Sequence, residues 1–157
     1  MSDLAHHTVR VATPDDRDGV IDLCRMCHKE VGIFSLSDSK MVAIVDFVLR
    51  GGDGVIGVIG DGKIEGSICL RLASPIYSDD VFLDEVWNFV HPEFRQPGRA
   101  KYLVRYAKQC ADRLAVPLFS SSVVSSETEA KHRLYDRELS RSGHFYVYRP
   151  SSVSIAA

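Results

Sequence analysis

Apolar residues along this chain change their spacing several times, from a period near 3.6 to a period of 2 and back, and each change marks an element. Thr8 to Ala12 alternates briefly. Thr13, Pro14 and Asp16 then supply an N-cap, a first-turn proline and an acid at capping-box spacing, so a helix starts there. Its apolar face is Val20, Leu23, Cys24, Cys27 and Val31, and Gly32 ends it. A second helix opens at Ser37 or Ser39, carries Met41, Ile44, Val45 and Val48 as its stripe, and stops at Gly51-Gly52.

The β-branched runs Val55 to Ile59 and Ile64 to Leu72 flank Gly60-Asp61-Gly62-Lys63, which predicts a hairpin. Ser74 to Asp80 is turn-rich, and Val81 to Val90 is the longest strand candidate, closed by Pro92. Arg99 to Leu114 is the clearest helix, with Ala100, Leu103, Val104, Ala107, Ala111 and Leu114 on one face. Leu118 to Val124 reads as a strand, Glu127 to Glu138 as a charged helix with Ala130 and Leu134 inward, and His144 to Tyr148 as a last strand. Strand, two helices, a meander, helix, strand, helix and strand make a mixed α/β layer, not a doubly wound nucleotide fold.

Length narrows the picture further. At 157 residues the chain is expected to form one domain, 1–157, with residues 1–7 a mobile terminus. A net charge of -2 gives no global basic field, so nucleic acid is not indicated as a partner. No apolar run is long enough to span a bilayer and no export signal precedes the first element, which places the protein in the cytoplasm. In that compartment its four cysteines, Cys24, Cys27, Cys69 and Cys110, are expected to be thiols. Cys24-Arg25-Met26-Cys27-His28 has the spacing of a haem attachment site. Both cysteines fall on the apolar face of a helix, however, and no second Cys or His pair completes a metal site. A core role is expected, with no metal.

The chemistry concentrates in Val90-His91-Pro92-Glu93-Phe94-Arg95-Gln96-Pro97-Gly98-Arg99-Ala100, where a strand end, a glycine-containing turn and a helix start follow directly. That order aims unpaired backbone N–H groups and the positive end of a helix dipole at one point, which suits an anion such as pyrophosphate. Gly98 lets the backbone approach closely, and Arg95 or Arg99 can add charge.

In these residues the chain resembles the GCN5-related N-acetyltransferases, whose acetyl-CoA loop has Arg or Gln, two residues, Gly, one residue, then Gly or Ala; Arg95, Gly98 and Ala100 match it. Val90, Pro92 and Phe94 extend the match backwards, and Thr128-Glu129-Ala130-Lys131-His132-Arg133-Leu134-Tyr135 is similar to the family segment that ends in Leu-Tyr. The chain departs from the family at Thr128, where Asn is common, at Lys131, where a small residue is common, and at Glu138-Leu139, where Gly-Phe is usual.

The resemblance implies a twisted mixed sheet of about six strands, with helices on both faces, splayed for CoA between the long strand and Leu118 to Val124. It implies acetyl-CoA as acyl donor, held by Phe89, Val90, Arg95, Gln96, Pro97, Gly98, Arg99, Ala100 and Lys101. It also implies direct attack by a primary amine, with Tyr135 as the acid that protonates the departing thiolate. The base is Glu85 or Asp84, or water bridged to one of them. Simple alternation puts Glu85 with Leu83, Trp87 and Phe89, and Asp84 with Val86, Asn88 and Val90, and apolar neighbours favour Glu85.

The expected acceptor is a small-molecule or peptide amine, and Glu30, Asp79, Asp80, Asp84 and Glu85 point toward a cationic one. A single convincing strand after the last helix leaves the acceptor side open or completed by a second copy, as in a homodimer. Two other readings stand beside this one: a non-catalytic acyl-CoA-binding or regulatory module, and an enzyme acetylating aminoacyl-tRNA, against which the acidic balance speaks.

Overall fold

A computed structural model of the chain describes residues 8–95, 98–121 and 129–143. Its elements run β1 (Arg10–Val11), α1 (Arg17–Val31), α2 (Asp38–Leu49), β2 (Gly54–Ile59), β3 (Gly66–Ala73), β4 (Phe82–Val90), α3 (Arg99–Leu114), β5 (Leu118–Phe119) and α4 (Glu129–Glu138). Single 3₁₀ turns at Pro14–Asp16 and Pro92–Phe94 precede α1 and follow β4. Five strands in the order β1-β2-β3-β4-β5 form one sheet among the described residues, where about six were expected for the whole chain. The strand expected at 144–148 and the later part of the one expected at 118–124 lie outside the described residues.

The sheet is antiparallel from β1 to β4 and parallel between β4 and β5. The hairpin expected at Gly60-Asp61-Gly62-Lys63 joins β2 to β3, with Gly60 and Gly62 both at positive φ. One face packs on α1 and α2 through Val20, Leu23, Val45, Ile56, Val58, Cys69 and Phe89. The other packs on α3 through Ile68, Leu70, Leu83, Val90, Leu103 and Ala107. Helices thus cover both faces, and none among the described residues is long and apolar enough to cross a membrane.

Cys24 and Cys69 are buried in the first core, and burial pushes both thiols up to about 12. Cys27 is only half-buried and lines a cleft beside β4. The His28 ring nitrogen Nε2 meets the Phe34 carbonyl at 2.7 Å and so ties α1 to the loop after it.

Arg10 fixes the start of the fold. Its guanidinium donates to both oxygens of Asp16 at 2.7 Å, and the Thr13 N–H donates to the same carboxylate at 2.8 Å, so β1 is tied to the entry of α1. Hydrogen bonding from Arg10 holds the Asp16 carboxyl down to about 2. A depressed carboxylate contributes stability above its unfolded pKa and loses it as pH falls through the folded one. Asp16→Asn is therefore expected to cost about 2 kcal/mol at neutral pH. In urea melts the gap between variant and wild type should narrow from pH 4 toward pH 2; a gap independent of pH would contradict this account.

Candidate active site

The site is made where β4 and β5 stop pairing. Among the described residues their ladder holds only Leu83↔Leu118 and Asp84↔Phe119, and beyond it β4 runs on to Val90 with β3 as its sheet partner on one side only. A cleft of about 460 Å³ opens there, with Cys27, Glu30, Glu85, Asn88, Arg95 and Lys131 among its polar walls and Trp87, Phe89 and Leu134 among its apolar ones.

A β-bulge corrects the faces expected from simple alternation. Leu70 lies opposite Glu85 while the next residue of β3, Cys69, lies opposite Trp87, so Val86 is an extra residue on β4. One inserted residue reverses the alternation on either side of it. Glu85 consequently shares its face with Leu83, Asn88 and Val90, and Trp87 and Phe89 turn to the α1 and α2 side. Asp84 pairs with Phe119 and does not line the cleft.

Glu85 is 5 % exposed. Tyr135, carried by α4, donates its phenol proton to Glu85 Oε1 at 2.5 Å and accepts a hydrogen bond from Asn88 Nδ2 at 3.3 Å. Lys131, one helical turn earlier, donates to the Asn88 carbonyl at 3.1 Å and lies 3.8 Å from the same Glu85 oxygen. Glu85 Oε2 and the Ser120 hydroxyl are buried without a completed hydrogen bond, although Ser120 is near enough to favour the charged carboxylate. Burial raises the Glu85 pKa, and Lys131 and Tyr135 pull against that rise. Burial, with Glu85 beside it, pushes the Tyr135 phenol far up, so its proton stays on at neutral pH.

The turn before α3 has the backbone an anion needs. Gly98 sits at φ 118°, and a Cβ there would lie 3.2 Å from the Tyr102 ring. The first bond of α3 runs from the Tyr102 N–H to the Gly98 carbonyl at 2.9 Å, so the N–H groups of Arg99, Ala100 and Lys101 have no acceptor within the helix. Both arginines of the turn are engaged with carboxylates. Arg95 donates to Glu30 at 2.5 Å and to the Val90 carbonyl at 3.2 Å, and its guanidinium lies over the Phe89 ring. Arg99 donates to Glu65 at 2.6 Å. Each has a carboxylate partner, so what distinguishes the turn is its backbone. Lys101 lies 3.9 Å from Glu138, and Gln96 and Pro97 lie outside the described residues, as does Thr128.

Two participants were not singled out by sequence reasoning as site residues: Asn88 and Ser120 carry no motif. Glu30 was named only as an acid on the acceptor side, and its pairing with Arg95, sixty-five positions away, was not foreseen. Lys131 was visible only as a departure from the family pattern.

No protein-family model matches this sequence, and no curated protein matches it significantly. Solved structures do resemble it. An integron cassette protein from the mobile metagenome of Cole Harbour Salt Marsh superimposes with a TM-score of 0.71 at 22% identity, over 94% of this chain and 93% of that one. A possible acetyltransferase from Clostridium difficile 630 gives 0.69 at 20% identity, over 90% and 96%. The aminoglycoside acetyltransferase AAC(6')-Iy, solved with a bisubstrate analogue of CoA, gives 0.69 at 16% identity, over 90% and 96%. With the splayed sheet and the turn before α3, these likenesses establish that the chain has the fold of the GCN5-related N-acetyltransferases.

Proposed function

We propose that this protein is an acetyl-CoA-dependent N-acyltransferase, a single catalytic domain acting in the cytoplasm on an amine acceptor. The observation that carries the reading is the buried Glu85–Tyr135 pair beside the bulge of β4, in which Glu85 lines the cleft where β4 has no strand partner among the described residues. Neighbours of the same fold solved with CoA or a CoA conjugate support the choice of donor.

In this reading acetyl-CoA would supply a thioester at the cleft, and Asn88, Phe89 and Val90 of β4 would hold its pantetheine. Arg95, Gln96, Pro97 and Gly98 would hold its phosphates, together with the N–H groups of Arg99, Ala100 and Lys101. A strand edge whose backbone is open on one side suits an extended amide chain. A backbone N–H next to the Val86 bulge would stabilise the oxyanion.

Glu85 removes the amine proton, directly or through a water. Once protonated, its Oε1 ceases to be a good acceptor for the phenol, and Tyr135 can turn its O–H to the departing sulfur. The proton gained by Glu85 then replaces the one Tyr135 has given up, so the pair returns to its starting state. Its burial makes Glu85 a stronger base than an exposed carboxylate.

Tyr135→Phe should bind acetyl-CoA normally and lose turnover by roughly 10²–10⁴-fold. Glu85→Gln should also lose turnover, with a defect that shrinks as pH rises and the amine arrives already deprotonated. Initial rates across pH for the three proteins decide the matter. Unchanged rates in both variants, with acetyl-CoA still bound, would favour a non-catalytic acyl-CoA-binding module.

The binding half of the reading has its own test. Gly98→Val forces a branched side chain into a left-handed φ and against Tyr102. Calorimetry should register no acetyl-CoA binding by this variant while its circular dichroism matches wild type. Equal affinities would remove the turn from the donor site.

A further inference from the structure

We propose that Lys131 is itself an acyl acceptor, so that the protein acylates its own side chain inside the cleft. The inference rests on the donor reading above. Among the six lysines of the chain, Lys29, Lys40 and Lys63 are exposed, and Lys101 and Lys108 gather around Glu138 on the α3–α4 surface. Lys131 alone lines the cleft, with its side chain 29% exposed.

Its nitrogen is held by groups that matter to acyl transfer. The bond from Lys131 Nζ to the Asn88 carbonyl places the amine on the open edge of β4, where a donor would lie. The nearest carboxylate is Glu85 at 3.8 Å, and the Tyr135 ring lies 5.4 Å away. An acceptor needs to bring a primary amine beside a base and an acid, and Lys131 already meets that condition. Holding the amine in place also spares the translational entropy that an external acceptor loses.

The step balances without another reactant. The Nζ–carbon bond forms and the carbon–sulfur bond breaks. Of the two protons lost by the Lys131 ammonium, one is delivered as the equivalent that Tyr135 gives to the CoA sulfur. The other passes through Glu85 to solvent. The product is a neutral amide at Lys131, and its formation removes the cation that favours the charged form of Glu85. A longer, uncharged side chain then lies along β4, so the modification restrains further use of the cleft.

The test takes the full-length protein with acetyl-CoA alone, no amine added. Intact mass should rise by one acetyl group, and peptide mapping should put it on Lys131. The rate should be first order and unchanged on dilution of the protein at saturating acetyl-CoA. Glu85→Gln should slow the modification at least tenfold, and Lys131→Arg should abolish it while still binding acetyl-CoA in a calorimeter. Binding by wild type with no acetyl group on Lys131, or with acetyl groups spread evenly over Lys29, Lys40 and Lys63, would overturn this inference and leave the donor reading standing. Absence of binding would overturn both.

Discussion

Everything at the candidate site follows from one constraint: among the described residues, β4 is longer than the ladder available to it on the β5 side. Parallel pairing with β5 covers Leu83 and Asp84, and from Glu85 to Val90 that edge of the strand faces the cleft. Backbone carbonyls seldom stay unpaired when buried. Here side chains supply the donors, Lys131 at the Asn88 carbonyl and Arg95 at the Val90 carbonyl. These are places that a ligand with its own amides can occupy. The bulge at Val86 lies at the boundary, and it turns Glu85 into the opening instead of under α1 and α2.

That placement is electrostatically costly. A carboxylate with 5 % exposure is offset by one phenol proton and by an ammonium at a distance longer than a hydrogen bond, and its second oxygen has no completed hydrogen bond among the described residues. Well-packed apolar residues would stabilise the same position better. Function explains such a group more readily than stability does. By contrast Arg10–Asp16, Arg17–Asp46 and Arg99–Glu65 are close pairs that tie elements together, and their roles are those of ordinary structural ion pairs.

Local patterning made most of the frame legible. α3 was readable to its ends because a positive-φ glycine precedes it and one apolar stripe runs its length. β2 and β3 were readable because two glycines mark their hairpin. The face of Glu85 was not legible, since counting by twos cannot register an inserted residue. Bulges depend on how one strand fits its neighbour, and nothing in Asp84-Glu85-Val86-Trp87 announces one. The partners of Arg95 and Arg99 were equally hidden: Glu30 and Glu65 come from α1 and from the loop before β3, and sequence proximity gives no hint of either. Tyr135 and Glu85, named separately from the resemblance, turned out to touch. Lys131 shows the opposite case, a residue whose misfit to a pattern was itself the signal.

The most direct measurement is hydrogen exchange along β4, followed by mass spectrometry with and without CoA. If the donor lies on the open edge, peptides covering 85–90 and 98–101 should exchange more slowly when CoA is bound, while those covering β1 and β2 keep their rates. Protection confined to other regions, or unchanged exchange across 85–90 at saturating CoA, would contradict the account.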